Sequence, residues 1–202
     1  MTGAANPRPH AGRSRCWMHA DRYGTRMAAS EYDLIARAVN FSLAHASQVQ
    51  GEIEARLQTG AATPDVNALR MLTMQSTILA IGAVQAFEGL LQQKRGWKDA
   101  FAELDKCLRK FGRVELANRF VDFRLAINVL KHGAGRSYDQ LEAKRDSLPF
   151  VVKPKGERFF SEGNVSEGIR LVDANHVFVS QCAEIINEIV EALRSARDEL
   201  TS

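Results

Sequence analysis

Three polar side chains stand four residues apart near the middle of the chain: Arg124, Asn128 and His132. Residues with this spacing lie along one flank of an α-helix, so a guanidinium, an amide and an imidazole would face the same side. Gly133 follows His132 directly, and glycine is common just after the last turn of a helix. Side chains of these types bind phosphate and move protons. We therefore take the three as the candidate site.

Further polar residues surround this group. Lys131 adds a cation to the last helical turn, where positive charge complements the helix dipole. Arg136 and Tyr138 follow the glycines, and we assign these two residues and Lys131 to substrate binding. Glu88 lies in an apolar segment, and a buried carboxylate needs a partner to offset its desolvation. We expect a supporting pair with Arg124, or else with His132, in a structural or a catalytic role.

These residues are placed by segments with a helical period. Ser30 and Asp33 predict the start of a first helix that ends near Gly60. Further helices are expected over residues 65–95, from Trp97 to Phe111, from Leu116 to Leu130, and over residues 174–200. The second of these is apolar around much of its circumference, so we expect the other helices to surround it.

Residues 133–172 lack a helical period and contain proline and glycine. Short β-branched or aromatic pieces occur within this stretch, at 150–152, 158–160 and 169–172. The pattern predicts an all-α protein: an up-and-down helical bundle of four to five helices, with a short irregular or β-hairpin insertion before the last helix. We expect a single bundle domain over 30–202, preceded by a disordered tail at 1–29, which has prolines, scattered arginines and no period.

Composition excludes several classes of protein. Hydrophobic residues make up 45% and charged residues 25%, which is typical of a globular domain and not of a disordered or fibrous chain. The longest apolar run, 71–91, contains Gln75, Gln85 and Glu88, so we interpret it as a bundle helix and expect no membrane partner. The N-terminal residues have no apolar signal region, which predicts a cytoplasmic protein.

Metal and disulfide chemistry have little support in the sequence. The three cysteines, Cys16, Cys107 and Cys182, form no CxxC pair and are odd in number, which argues against a disulfide framework and a thiolate zinc site. We expect Cys107 and Cys182 to be buried thiols. Asp173 and His176 are spaced like metal ligands but have no second pair to join them. We therefore predict no metal and no cofactor.

Charge is distributed unevenly along the chain. Residues 94–146 carry thirteen Lys or Arg against eight Asp or Glu, whereas residues 164–202 carry three against seven. A basic middle segment suits an anionic ligand. The solvated surface of ordinary helices explains it equally well.

The string from Asn128 to Gly133, Asn-Val-Leu-Lys-His-Gly, resembles the signature helix of the HEPN superfamily of prokaryotic helical bundles. Ile127 stands where active members carry an arginine, and Arg124 is the nearest arginine upstream. The resemblance implies a homodimer and a metal-independent ribonuclease, or an RNA-binding component of a prokaryotic defence or toxin–antitoxin system with a cognate antitoxin or other partner protein. It also implies that His132, Arg124 and Asn128 are catalytic. His132 would act as base toward an RNA 2′-hydroxyl, and the arginine would stabilise charge on the phosphate.

Two other hypotheses remain open. In the first, the chain is a catalytically inactive interaction module, and Ile127 marks the loss of activity. In the second, it is a regulatory bundle that binds a small ligand or anion through its basic middle segment. Both are compatible with a structural role in which Lys131 and His132 only cap the helix and Asn128 binds a neighbouring helix.

Overall fold

The computed structural model describes residues 30–60, 63–154 and 171–201, with side chains to Ala196 in the last helix. The tail predicted to be disordered, 1–29, lies outside the described residues. The described chain forms six α-helices and a short 3-10 helix at Arg145–Ser147. The α-helices are α1 (Glu31–Leu57), α2 (Thr63–Arg95), α3 (Ala100–Lys110), α4 (Val114–His132), α5 (Arg136–Glu142) and α6 (His176–Thr201). The predicted all-α class is confirmed.

Helix α1 begins at the capping pair that the sequence indicated. The Ser30 backbone N–H donates to the Asp33 carboxylate at 2.9 Å, and the Asp33 N–H donates to the Ser30 hydroxyl at 3.4 Å. Arg194 of α6 donates to the same carboxylate at 3.0 Å. Burial raises the pKa of Asp33, but the hydrogen bonds from Arg194 and Ser30 outweigh it, and the pKa lies below its usual value. This cluster therefore joins the two ends of the described chain.

Four long helices pack up and down. Arg56 pairs with Asp65 at the turn between α1 and α2, and Lys94 pairs with Glu31 at the opposite end, so these two helices are antiparallel. Arg119 on α4 makes two hydrogen bonds to Glu188 on α6, at 2.9 and 3.1 Å. One continuous apolar core lies between α1, α2, α4 and α6. The predicted up-and-down arrangement is thus observed.

Two aromatic clusters fill this core. Phe87, Phe101 and Phe120 meet edge to face or tilted where α2, α3 and α4 converge. Phe123, Phe150 and Phe178 meet between α4, α6 and the segment that follows the 3-10 helix, with ring centroids 4.9–5.3 Å apart. Aromatic pairs at these distances add about 0.5–1.5 kcal/mol beyond the area they bury. The clusters fix α4 against its neighbours.

The central helix is α4, and the expectation that α2 is the surrounded helix is wrong. Buried residues of α4 point in almost every direction, and α3 and α5 cover flanks that the long helices leave open. Helix α2 instead exposes apolar side chains in its first half: Met71, Met74 and Ile78. By length and composition α2 is the one helix of the described chain that could cross a membrane, yet it packs against α1, α3, α4 and α6.

The predicted β-hairpin before the last helix is not supported. The described residues hold no strand, only an isolated antiparallel bridge between Val152 and Val172, with Lys153 N–H donating to Leu171 at 2.9 Å. The piece at 158–160 lies outside the described residues. Helix α5 was also missed, because seven residues give too short a period to recognise. The bridge joins the middle of the insertion to its end.

The cysteine prediction holds at one of two positions. Cys182 is a buried free thiol on α6, and burial raises its pKa. Cys107 is also buried, but it is disulfide-bonded, with its partner outside the described residues. The argument against disulfides from an odd cysteine count is therefore wrong for Cys107, since an odd count excludes only complete pairing.

Candidate functional site

The end of α4 is formed as the sequence predicted. Gly133 has φ 75° and ψ −151°, in the region that favours glycine, and its N–H donates to the Val129 carbonyl at 2.8 Å. The chain then continues through Ala134 and Gly135 into α5. Lys131 and His132 occupy the last turn of α4, where cations are stabilised by the helix dipole.

His132 and Lys131 are exposed at this helix end, and Arg136 is exposed at the start of α5. None of the three side chains makes a hydrogen bond or ion pair in the described part of the chain. We call Lys131, His132 and Arg136 the basic end. Because no carboxylate of the described chain pairs with them, these basic side chains are available to an anionic ligand.

Asn128 and Arg124 lie further back on α4 and are half-buried. The Arg124 guanidinium stands 5.9 Å from the ring centroid of Phe101 on α3, a cation–π contact that holds it against the bundle. Arg124 and His132 are eight residues apart, which corresponds to about 12 Å along the helix axis. The structure therefore brings Asn128 close to the basic end but keeps the Arg124 backbone two turns away.

Glu88 does not form the pair expected from its apolar surroundings. Its carboxylate is half-buried on α2 and accepts a hydrogen bond from Gln85 at 3.3 Å. No ion pair joins Glu88 to Arg124 or His132 among the described residues. The carboxylate retains water, so the desolvation argument that called for a cationic partner does not apply to it.

Tyr138 is a structural residue, and its assignment to substrate binding is wrong. Its side chain is fully buried, and its hydroxyl lies 2.7 Å from the Lys153 carbonyl and 2.9 Å from the Glu142 carboxylate. Burial, with a further contribution from Glu142, raises the pKa of Tyr138 to about 12. Tyr138 and Leu141 lie one turn apart and both face α4, so the ring points inward and cannot reach a substrate.

Sequence reasoning missed two features of this region. Phe101 supports Arg124 across the α3–α4 contact, a pairing between distant residues that no spacing signals. The exposed apolar residues of α2 were also missed, since an apolar pattern does not reveal which side will be covered. Among the described residues, no group of three or more His, Cys, Asp or Glu side chains could hold a metal ion.

Comparison with known proteins adds no relative to this picture: no family model, curated protein or solved structure matches the chain.

Proposed function

We propose that the chain is a HEPN-like helical bundle that binds RNA through the basic end and cleaves it without a metal ion. The observation that carries the proposal is the exposed, unpaired state of Lys131, His132 and Arg136 beside Asn128. Lysine, histidine and arginine side chains donate hydrogen bonds, and such donors suit the phosphate groups of a nucleic acid strand. Exposure leaves room for a strand to approach.

In this mechanism each residue has a distinct task. The neutral imidazole of His132 removes the proton of a 2′-hydroxyl, whose oxygen then attacks the adjacent phosphorus and displaces the 5′-oxygen of the next nucleotide. The departing 5′-oxygen takes up a proton from water. Lys131 and Arg136 stabilise the charge on the phosphate. Asn128 positions the ribose or phosphate by hydrogen bonding. Arg124, held over Phe101, would contribute from a second protomer.

A homodimer is therefore part of the proposal. Its support is the apolar surface on α2, where Met71 is 66% and Ile78 is 62% exposed, with Met74 one turn from each. Exposed apolar patches of this kind mark contacts with other molecules. In the proposed dimer a second copy covers this surface of α2. Location in the cytoplasm and a cognate antitoxin or other protein partner belong to the same proposal.

RNA binding is tested by the salt dependence of affinity for a single-stranded RNA. We expect affinity to fall steeply between about 50 and 200 mM salt. Lys131→Ala and Arg136→Ala should each reduce the slope of log affinity against log salt concentration by about 0.7. Lys110→Ala, an exposed lysine on α3, is the matched control and leaves the slope unchanged. An affinity that does not depend on salt contradicts a phosphate-directed site.

Cleavage is tested separately with a mixed RNA pool and His132→Ala. Loss of a positioned base lowers the rate by about 10²- to 10⁴-fold. His45→Ala, which removes an exposed histidine stacked on Phe41 of α1, controls for a general loss of cationic surface. Equal degradation by wild type and His132→Ala rejects the ribonuclease while leaving RNA binding to stand on the salt experiment.

A second candidate function, an interaction module without catalysis, is favoured by the same apolar surface of α2. In that case Met74→Lys and Ile78→Lys disrupt self-association or partner binding, measured by analytical ultracentrifugation, while RNA affinity is absent in all variants. A chain that remains monomeric at all concentrations, and in which these substitutions change nothing, rejects both the dimer and the module.

A further inference from the structure

An uncharged belt crosses the outer face of α1 and α2. We define it as residues 38–50 of α1 and 71–87 of α2, which contain no Asp, Glu, Lys or Arg although both segments expose side chains to solvent. The ion pairs at the two ends of these antiparallel helices place the two segments side by side at the same height. The only titratable side chain in the belt is that of His45.

Large apolar side chains project from the belt. Phe41 is exposed on α1, and its ring stacks on that of His45 with the centroids 5.3 Å apart. Met71 and Ile78 of α2 are each more than half exposed. His45 lies level with Ile78 when positions are counted from the end pairs, so both helices contribute to one patch. Monomeric proteins seldom expose a large apolar patch, which marks a contact with another molecule.

The exposed stripe of α2 changes in side-chain size along its length. Its first half carries the large side chains, and its second half carries three small residues: Gly82, Ala86 and Gly89. A Cβ built on Gly82 or Gly89 would meet no atom within 4 Å, so the protomer leaves open space there. A protrusion and a hollow on one helix fit each other across a twofold axis, because residue i then contacts j of the second copy and j contacts i.

One register brings the protrusions onto the hollows. A twofold axis between residues 79 and 80 sets Met71 of one copy nearly level with Gly89 of the other. Ile78 is then nearly level with Gly82 in the same way. Each large side chain occupies the space above a glycine, which allows the two α2 helices to approach closely. Each of these contacts occurs twice in the pair of copies.

Charge at the two ends of the belt favours the same register. Arg70 and Glu88 border the belt on α2 and are eighteen residues apart, which corresponds to about five helical turns. They therefore point in the same direction around α2 and lie about 27 Å apart, too far to meet within one protomer. In the antiparallel pair, each arginine lies beside the glutamate of the other copy. The register thus gives two symmetric pairs of opposite charge.

A second copy of this chain is the occupant that fits the belt. The same axis passes α1 between Phe41 and His45, so the stacked rings of one copy lie beside those of the other. We propose that the second copy docks on the uncharged belt, with α2 antiparallel to α2 and α1 antiparallel to α1. The belt is about 24 Å long and two helices, or about 20 Å, wide. This footprint is of the order needed for the about 800 Å² that each partner buries in a standard interface. The inference rests on the homodimer of the proposed function and specifies its contact surface.

Charge exchange tests the register by analytical ultracentrifugation of the full-length protein. Arg70→Glu and Glu88→Arg each place like charges at both ends of the contact and should weaken the dimer at least about tenfold. The double variant restores opposite charges, and its dissociation constant should return to within about threefold of wild type. Glu184→Arg, at an exposed glutamate of α6, is the matched control and leaves the dimer unchanged. Losses that simply add in the double variant overturn the register.

A glycine variant tests the close approach of the two α2 helices. Gly82→Leu enters open space within its own protomer and replaces a poor helix former, so the monomer stays folded, as thermal denaturation verifies. The new side chain occupies the place of Ile78 from the second copy, and we expect the dimer to weaken by about a hundredfold or more. Gly51→Leu is the matched control, because Gly51 is also open but points to the flank of α1 next to α6. Equal dimers in both variants overturn the contact.

The outcomes separate this contact from the proposed function. A dimer that none of the α2 variants weakens rejects the contact and leaves the homodimer itself standing. A chain that stays monomeric up to about 100 μM, well above a micromolar dissociation constant, rejects both, and RNA binding then stands on its salt experiment. Cosedimentation of such a monomer with phosphatidylcholine vesicles would assign the belt to a lipid surface instead.

Discussion

Helices α2 and α4 are both rich in apolar residues, yet their surroundings differ. Helix α4 is enclosed by long helices on one side and by α3 and α5 on the other, so that Ile127 and Val129 are both buried although they point in different directions. Helix α2 has no short helix over its first half, and Ile78 remains open to solvent. The short elements thus decide which helix becomes central.

This difference also separates two kinds of surface. Helix α4 is accessible at its two ends, and the exposed residues of its C-terminal end, Lys131 and His132, are basic. The accessible part of α2 is apolar and offers area for a protein contact.

The largest effect is expected from Phe123→Ala in α4. The ring is 2% exposed and contacts both Phe150 and Phe178, so its loss leaves a cavity and costs about 3–5 kcal/mol in the free energy of unfolding. Urea denaturation measures the change. Phe41→Ala, at a ring that is 70% exposed on α1, should change the same quantity by no more than about 0.5 kcal/mol. Similar costs at both positions would contradict the assigned core.

The next effect concerns Tyr138, which anchors α5 against α4. Tyr138→Phe removes the hydroxyl that contacts Lys153 and Glu142, at a cost of about 1–3 kcal/mol, because the buried carbonyl loses its donor. The pKa is raised from 10.0 to about 12, so the folded protein keeps a proton that the unfolded chain has lost. The stabilisation is complete below pH 10 and disappears as pH rises toward 12.

Denaturation at several alkaline pH values measures this loss. The Tyr138→Phe variant lacks the corresponding part of the pH dependence. Tyr32→Phe, whose hydroxyl makes a longer contact to the Leu90 carbonyl at 3.4 Å, retains it. An unchanged alkaline profile in Tyr138→Phe would contradict the buried phenol.

A smaller effect is expected at the joint between α1 and α6. Asp33→Asn weakens the bonds to Arg194 and Ser30 and costs about 1 kcal/mol at neutral pH. The folded pKa lies below 3.8, so the carboxylate stabilises the fold above that pH, and the contribution is lost as pH falls through the lower, folded value. The difference in the free energy of unfolding between wild type and Asp33→Asn should therefore become smaller at acidic pH. Glu103→Gln, at a pair within one helix, should show a smaller cost at neutral pH.

The smallest effect on stability is expected at Ile78. Ile78→Gln replaces an exposed side chain and should change the free energy of unfolding of the monomer by about 0.5 kcal/mol or less. The same substitution at Ile127, which is 1% exposed, should cost several times more because it buries an amide without a partner. Equal costs at the two positions would remove the contrast between α2 and α4.

Local signals predicted much of this fold. The Ser30–Asp33 cap, the stop at Gly133 and the limits of the long helices follow from residues close in sequence, and all were predicted to within a few positions. Contacts between distant elements were not accessible in the same way. Tyr138 was predicted to offer its hydroxyl to a substrate, but α5 places the side chain in the core. Arg124 was predicted to pair with Glu88, but its guanidinium lies over the ring of Phe101.

The candidate site shows the same division. Exposure of His132 and Lys131 follows from their place in the last turn of a helix, which the sequence specifies. By contrast, a small cleft lined by α1, α2 and the start of α6 requires three helices to meet, and its residues come from positions 50 to 176. Periodicity cannot reveal such a cleft, because each of its residues looks like an ordinary surface or core position on its own helix.

The buried thiol of Cys182 can serve as a natural probe of how often helix α6 separates from the bundle. With a raised pKa and no access to solvent, this sulfur reacts with an alkylating reagent only after α6 has separated from the rest of the bundle. The rate of its modification, followed by peptide mass spectrometry, therefore reports how often the native packing opens in the absence of denaturant.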